Sequence, residues 1–347
     1  MKFLIQWFIG LSVCGLLTSA GADIPRTSSG KPDLSGNFDV ASLTPYQRDP
    51  KFGDQLFMSS QEARKIIDGE SKINAAASAQ SDPNREAPPE GGDGTITAGG
   101  GVGGYNFFWI DRGNDIFKKD GKFRTSIITD PANGRLPELT EAGKKRRAEA
   151  RPYIFKNTGT AWWLDQPGPG PYDNPESLPL SERCLYVAPA SVPVRPILYN
   201  NLKTIVQTDS HVMIHVEWMH DARIIRLNSE HAPDAVKSLN GDSIGHWQGD
   251  TLVVETTNFL SAPNVASDLV VVERFSRINE TALNYHFTVY DSNYEKPYSG
   301  EFPWPQTDSK LYEYACHEGN YSMGNILRGA RLLESEALAE QASAGGH

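Results

Sequence analysis

The sequence is poor in basic residues and, after its N-terminal segment, has no long apolar run. Lys and Arg number 33 against 43 Asp and Glu, which gives a formal net charge of −10. A nucleic-acid-binding protein needs a basic face to neutralise phosphates, so this balance argues against nucleic acid and against an anionic membrane surface. No later stretch reaches the ~20 apolar residues that span a bilayer, so we expect no membrane insertion of the mature chain.

Several common catalytic motifs are also absent. The sequence has no H-E-x-x-H zinc motif, and its one G-x-S-x-G pattern, at residues 241–245, leads into the hairpin at 245–259 rather than into the helix that follows a nucleophile elbow. The glycine-rich run at 99–104 is followed by neither a P-loop Lys-Ser/Thr nor a helix, and we interpret it as a surface loop. Serine-hydrolase, zincin and dinucleotide-binding functions are therefore disfavoured, and we expect no cofactor.

The N-terminus has the pattern of a secretory signal. Lys2 precedes the apolar run Phe3–Leu17, and Ala20 and Ala22 form an A-x-A pattern ahead of Asp23. A membrane anchor is the weaker alternative, because the run is shorter than a bilayer span. We predict a signal peptide over residues 1–22 and export to the periplasm or the extracellular space.

Cysteine is scarce, with three residues in the chain. Loss of the signal peptide would remove Cys14 and leave Cys184 and Cys316, the count for one disulfide in an oxidising compartment. A metal-binding thiolate or a nucleophile at Cys316 is the alternative to that disulfide.

The rest of the chain divides into two regions. Residues 23–104 form an extended, loop-rich segment with one short helix, opened by the S-x-x-E capping pattern of Ser59 and Glu62. Residues 105–347 form a β-rich domain that ends in a helix over 325–341. We predict its strands near 105–110, 123–128, 203–208, 210–218, 222–227, 251–258, 269–277, 282–290, 297–303 and 311–316. Many short strands predict a mainly β fold, an antiparallel up-and-down barrel or a sandwich, lipocalin-like in form.

The segment from His211 to Arg223 is richest in groups that could carry chemistry. On a strand, His211, His215 and Glu217 share one face, opposite an apolar face that we assign to the core. Three interpretations remain open: a metal site formed by His211 and His215 with Glu217 or His220, an acid/base pair of Glu217 and His220 with Arg223 as counter-charge, or a solvated face with structural ion pairs.

Two further segments are candidates. A hairpin at 245–259 carries Glu255 between apolar neighbours, for which Arg274 is a partner in the next strand. The stretch 312–321 would present polar groups at a turn fixed by Cys316. The candidate catalytic residues are Glu217, His220, Asp221, Arg223, His317 and Glu318. The candidate substrate-binding residues are Tyr105, Trp109, Trp218, Trp247, Glu255, Asn258 and Asn320.

Four stretches resemble a large family of exported bacterial proteins whose members usually carry only a hypothetical-protein label. They are the segment Arg124–Pro137, the stretch His220–Ile225, the hairpin Trp247–Phe259 and the segment Tyr312–Asn320. The resemblance covers most of the chain from about Tyr105 onward. It implies export and one contiguous domain, and it brings no activity with it.

Together these features favour a cofactor-independent acid/base enzyme, a lyase, isomerase or hydrolase. Its substrate would be a small apolar or aromatic molecule in an aromatic-lined pocket. A lipocalin-like carrier without turnover is the first alternative, and a metal-binding exported protein is the second. The sequence makes no prediction of oligomeric state.

Overall fold

The computed structural model describes residues 24–77, 84, 86, 110–150, 159–185, 191–261 and 265–344. The predicted signal peptide and residues 105–109 of the first predicted strand lie outside these residues.

The described residues form thirteen strands, and ten of them make one curled sheet. The strands are β1 Gly36–Asp39, β2 Phe57–Met58, β3 Lys118–Lys119, β4 Lys122–Arg124, β5 Ile128–Asp130, β6 Leu202–Gln207, β7 His211–Val216, β8 Asp221–Leu227, β9 Asp242–Gln248, β10 Thr251–Thr257, β11 Val270–Asn279, β12 Ala282–Tyr290 and β13 Tyr298–Pro305. The large sheet has the order β1-β6-β7-β8-β9-β10-β11-β12-β13-β5, and the small sheet has the order β2-β4-β3.

The large sheet curls until its ends approach each other. Phe38 of β1 forms a bridge with Gln306, just beyond β13, and the Thr307 amide donates to the Asn37 carbonyl at 2.9 Å. Neighbouring strands run antiparallel, except that β8 and β9 run parallel. The prediction of a mainly β, barrel-like fold is confirmed, and the parallel pair is a detail that the strand spacing did not reveal.

Local patterns explain the strands that form the sheet. In β12, Leu283, Tyr285, Phe287 and Val289 are buried while the residues between them are more exposed, which is the two-residue period of a half-buried strand.

The β9–β10 hairpin pairs Gln248 with Thr251 across a two-residue turn. Gly249 has a φ of +59° there, a conformation that glycine adopts without steric cost.

Aromatic rings fill the interior of the sheet between β1 and the strands β11–β13. The Tyr285 ring lies 5.1 Å from that of Trp304 and 5.2 Å from that of Phe302, and Phe275 contacts Trp304 at 5.6 Å. These ring contacts show that the curled sheet encloses a packed core. Each large apolar side chain that is fully buried there contributes about 1.5–3 kcal/mol to the stability of the fold.

Four helices surround the sheets in the described part of the chain: α1 Ser60–Ala77, α2 Glu141–Ala150, α3 Cys316–Gly319 and α4 Tyr321–Ala344. None of them is both long enough and apolar enough to span a membrane. The capping pattern that predicted α1 is present, because the Ser59 amide donates to Glu62 at 2.8 Å and the Glu62 amide donates to the Ser59 hydroxyl at 3.2 Å. The predicted C-terminal helix lies within α4.

Helix α4 packs against the segment 159–185 through a separate apolar cluster. Ala330 is buried beside Trp163, and the Trp163 indole donates to Glu334 at 2.7 Å. The predicted Cys184–Cys316 disulfide joins this segment to α3, which directly precedes α4, with an S–S distance of 2.00 Å. We call α3, α4 and residues 159–185 the disulfide module.

The prediction of a strand at 311–316 is wrong. Residues 311–315 are irregular and Cys316 begins α3. The Tyr312 amide donates to the carboxylate of Glu217, so this backbone group bonds to a side chain rather than to a neighbouring strand.

Candidate functional site

The strand β7 has the two faces that its sequence predicts. Val212, Ile214 and Val216 are buried in the core. On the other face His211 is exposed and its ring bonds to the Ser210 hydroxyl, while His215 is half-buried. The chain leaves the strand after Val216, so the alternation of faces ends before Glu217.

Glu217 and His220 diverge at this turn. Glu217 takes a helical conformation and is 5 % exposed, with its carboxylate accepting from the Tyr312 amide at 3.2 Å. His220 is exposed, and its ring packs edge-on against that of His215 at 4.6 Å. Burial and the neighbouring His220 lower the pKa of His215. In this described region no side-chain hydrogen bond joins Glu217 to His220, so the proposed acid/base pair is not assembled.

Arg223 lies inside the curled sheet rather than in a solvent-facing site. Its guanidinium makes two contacts with the carboxylate of Glu273, one of them at 3.0 Å. Burial opposes the charge on Arg223, but Glu273 outweighs burial and raises the pKa of Arg223. The Tyr285 hydroxyl donates to Glu273 at 2.7 Å and accepts from the Val194 amide at 2.9 Å. These contacts assign a structural role to Arg223.

The remaining predicted residues of the β8–β10 region hold a surface loop. Asp221 accepts from the side chain of Asn240 at 2.7 Å. Asn258 donates to the Ala232 carbonyl at 2.9 Å. Both contacts fasten residues 228–241, the connection between the parallel strands β8 and β9.

The predicted Glu255–Arg274 ion pair is wrong. Glu255 is exposed, and its carboxylate lies 3.2 Å from the Nε2 atom of His231. Arg274 stands opposite Val253 in the β10–β11 register, two positions from Glu255. The Nδ1 atom of His231 contacts Asp242 at 2.8 Å, so this imidazole bridges two carboxylates on the surface.

The other predicted side chains are dispersed. Trp247 packs at the edge of the main core, with the Lys31 ammonium 5.9 Å from its ring centre. His317 and Glu318 are exposed on α3. Asn320 caps α4 by accepting from the Met323 amide at 3.3 Å, which fits the capping alternative. Tyr105 and Trp109 lie outside the described residues.

The described residues do not bring three or more His, Cys, Asp or Glu side chains together in a group that could hold a metal ion. His211 and Glu217 in particular are separated, one exposed at the start of β7 and the other buried after its end. The fallback metal site at His211, His215 and Glu217 therefore has no support in the geometry.

One predicted residue, Trp218, lines a pocket of about 570 Å³ at one end of the curled sheet. We call it the rim pocket, because it lies where β1 and β7 end and where β6 begins. Its described walls are Ser42, Leu43, Thr44, Pro45, Tyr46, Ile66, Glu70, Arg112, Ile127, Arg195, Pro196, Ile197, Leu198, Tyr199 and Trp218.

A cluster of aromatic groups fixes the wall at Trp218. The Trp218 indole donates to the Tyr314 hydroxyl at 3.2 Å, and the Tyr199 ring packs edge-on against Trp218 at 6.1 Å. Burial raises the pKa of Tyr314 to about 12, so its hydroxyl stays neutral at physiological pH. This wall is uncharged.

Other residues of the pocket wall carry its charge. The Arg195 guanidinium lies 5.5 Å from the ring centre of Tyr46, close enough for a cation–π contact. Arg112 and Glu70 face each other at 3.7 Å. Two guanidinium charges against one carboxylate leave these described walls with a net charge of +1, in a chain whose formal net charge is −10.

A buried lysine lies close to the turn that carries Trp218. Lys203 is completely buried, and its ammonium donates to the Asn200 carbonyl at 3.3 Å. Burial lowers the pKa of Lys203 to about 7, although Glu217 and Asp39 act in the opposite direction. Glu217 thus belongs to a buried charged group with Lys203 and not to a surface pair with His220.

Searches against protein families, curated proteins and solved structures return no match to this chain.

Of the residues in and beside the rim pocket, Trp218 was predicted from the sequence, whereas Arg195, Tyr46 and Lys203 were not. A usable signal was present, because Arg195 is the only charged residue in the apolar stretch Val192–Tyr199. A lone charge between apolar neighbours requires a partner or a ligand if it is even partly buried.

Proposed function

We propose that this protein binds a small apolar or aromatic molecule in the rim pocket. The observation that carries the proposal is the pocket itself, whose volume of about 570 Å³ suits a small organic ligand. Aliphatic and aromatic side chains form most of its described walls, and a few polar groups converge on it. That composition is typical of small-molecule sites.

The packing of the sheet favours the rim over the interior as the site. In a lipocalin-like carrier the ligand lies inside the barrel, whereas here the rings of Phe275, Tyr285 and Trp304 fill that space. The buried pair of Arg223 and Glu273 occupies more of it. A ligand at the rim requires none of these side chains to move.

The experiment is a binding screen combined with a blocking variant. Apolar and aromatic metabolites are screened by native mass spectrometry and by the shift of melting temperature. Leu198 lines the pocket and is 45 % exposed, so Leu198→Trp can fill the pocket without disturbing the core. We expect this variant to weaken binding at least tenfold.

Leu332→Trp is the matched control, because Leu332 is 57 % exposed on α4 and belongs to the disulfide module. It should bind as the wild type does. A screen without a bound compound, or compounds bound equally by Leu198→Trp and wild type, would count against the rim pocket as the site.

Acid/base turnover is a second candidate, and the buried group of Lys203 and Glu217 favours it. A lysine whose pKa lies near 7 can exchange a proton at physiological pH, and ionisable groups tuned in this way are common in catalytic sites. Glu217 is the residue before Trp218, which lines the rim pocket, while Glu217 and Lys203 themselves lie buried behind its described walls. The chemistry would be proton transfer to or from the bound molecule.

Replacement of Glu217 by Gln separates turnover from simple binding. The amide keeps the shape of the side chain and its acceptor for the Tyr312 amide, but it removes the charge. An enzyme would keep its ligand affinity within a few-fold and lose turnover by roughly 10²–10⁴. Glu313→Gln is the control, since Glu313 is exposed. A compound recovered unchanged from wild type and bound equally by Glu217→Gln would favour a carrier.

We also propose that the protein is exported. The Cys184–Cys316 disulfide is compatible with an oxidising compartment, and the N-terminal sequence has the signal pattern described above. N-terminal sequencing of the protein from an expressing cell should begin at Asp23. A mature chain that retains Met1 or Lys2 would contradict cleavage.

A further inference from the structure

We propose that the rim pocket selects ligands that carry a carboxylate, and that Arg195 is the residue that binds it. This inference rests on the small-molecule binding proposed above and adds the chemical class of the ligand. The ligand would be a small monocarboxylate with an apolar or aromatic body.

The first observation is that the charge of Arg195 is not matched by an acidic side chain. In the described part of the chain its contact is the face of Tyr46, and no carboxylate forms an ion pair with it. Glu70, the acidic residue of the pocket wall, faces Arg112 instead. A guanidinium that borders an apolar pocket without an anionic partner is a ready site for an anion.

The second observation is that the groups around Arg195 stay neutral. Arg195 interacts electrostatically with the hydroxyls of Tyr46, Tyr294 and Tyr298. Burial raises the pKa of each of these three phenols, so none becomes a phenolate that could neutralise the guanidinium near pH 7. The positive charge of Arg195 therefore remains available to a ligand.

The third observation is that different side chains of the pocket wall supply its charge and its neutral aromatic surface. Arg195 and Tyr46 form one part, while the neutral aromatic pair Tyr199 and Trp218 forms another. A carboxylate on Arg195 would leave the rest of the ligand against aromatic and aliphatic walls. The planar fork of a guanidinium matches the two oxygens of a carboxylate, which favours this anion over a spherical one.

The test compares acids with their uncharged amides. The probes are 3-phenylpropionate with 3-phenylpropanamide, and hexanoate with hexanamide, titrated calorimetrically at pH 7. Wild type should bind each acid about 10- to 100-fold more tightly than its amide, the usual effect of a hydrogen-bonded charge. Arg195→Gln should abolish that preference while leaving amide affinity within about threefold, and Arg195→Lys should retain part of it.

Arg328→Gln is the matched control, because Arg328 is exposed on α4. It should keep the full acid preference. Circular dichroism and the melting temperature check that Arg195→Gln remains folded, and Arg195→Lys provides a second variant if it does not.

The outcomes separate this inference from the proposed function. The inference would be overturned if the wild type bound acids and amides equally and Arg195→Gln bound them with the same affinities. If Leu198→Trp weakened binding of these probes in that case, the rim pocket would remain the ligand site. Failure of all four probes and of the wider screen to bind would overturn the proposed function, and the inference with it.

Discussion

The guanidinium of Arg223 and the carboxylate of Glu273 form a two-pronged ion pair in the interior of the curled sheet, where both side chains are buried. Tyr285 completes the network by donating to the same carboxylate at 2.7 Å. The pair joins β8 to β11, which are not neighbours in the sheet. It therefore links strands across the interior.

We expect Glu273→Gln to lower the free energy of unfolding by about 3–5 kcal/mol, the usual effect of leaving one buried ion without its partner. Urea denaturation followed by circular dichroism measures the change. Glu255→Gln is the matched control. Its contact with His231 is at the surface, and its loss should cost about 0–1 kcal/mol.

Replacing both partners tests the physical reason. Arg223→Met combined with Glu273→Leu removes both charges together and should recover most of the stability that Glu273→Gln loses. Equal, small effects of Glu273→Gln and Glu255→Gln would show that the Arg223 charge is solvated, contrary to the structure.

Lys203 should make stability depend on pH. Burial lowers its pKa to about 7 in the folded protein, from an ordinary value of 10.5. Between these two values the unfolded chain binds a proton that the folded protein does not, so the free energy of unfolding rises with pH across this window. Each pKa unit corresponds to about 1.4 kcal/mol, and we expect a rise of about 3–5 kcal/mol attributable to Lys203.

The measurement is urea denaturation of wild type and Lys203→Met at several pH values from 6 to 10.5. Because methionine does not titrate, the free energy of unfolding should rise with pH by about 3–5 kcal/mol less in Lys203→Met than in the wild type. Parallel curves for the two proteins would mean that Lys203 keeps an ordinary pKa in the folded state.

The disulfide should stabilise the disulfide module more than the sheet. Cys184 and Cys316 are separated by 132 residues, and the chain-entropy model gives about 4–5 kcal/mol for a closure of this length. In the variant Cys184→Ser with Cys316→Ser, we expect hydrogen exchange to accelerate in α4 first. Protection should persist in β10–β12, whose core does not include the module. Uniform acceleration across both parts would show that they unfold as one unit.

Features set by local patterns were predictable from the sequence. The alternation in β12, the capping box of Ser59 and Glu62, and the amphipathic face of α4 each depend on residues close together in the chain. The disulfide followed from the cysteine count. The parallel β8–β9 pair was not predictable, because the loop between them is held by distant contacts such as Asn258 with Ala232.

The candidate site shows where pattern reasoning fails. Strand alternation placed Glu217 on the face of His211 and His215, but β7 ends at Val216 and Glu217 already has a helical conformation. Met219 and His220 then take left-handed conformations, with φ of +61° and +52°. Such angles are uncommon in residues other than glycine and have no reliable sequence signal.

The rim pocket is likewise assembled from segments far apart in the sequence. Residues 42–46, helix α1, residues 195–199 and Trp218 each contribute a wall. The periodicity of any one of these segments describes its own burial, but it does not show which other segments it meets. Trp218 could therefore be proposed as a wall residue, while its partners across the pocket could not.

A crystal structure of the protein with bound 3-phenylpropionate would show whether a carboxylate ligand occupies the rim pocket. We expect the carboxylate within hydrogen-bonding distance of the Arg195 guanidinium and the phenyl ring against Tyr199 and Trp218. The interior pair of Arg223 and Glu273 should be undisturbed. A ligand found inside the curled sheet, or elsewhere on the surface with the rim pocket unfilled, would refute ligand binding in the rim pocket.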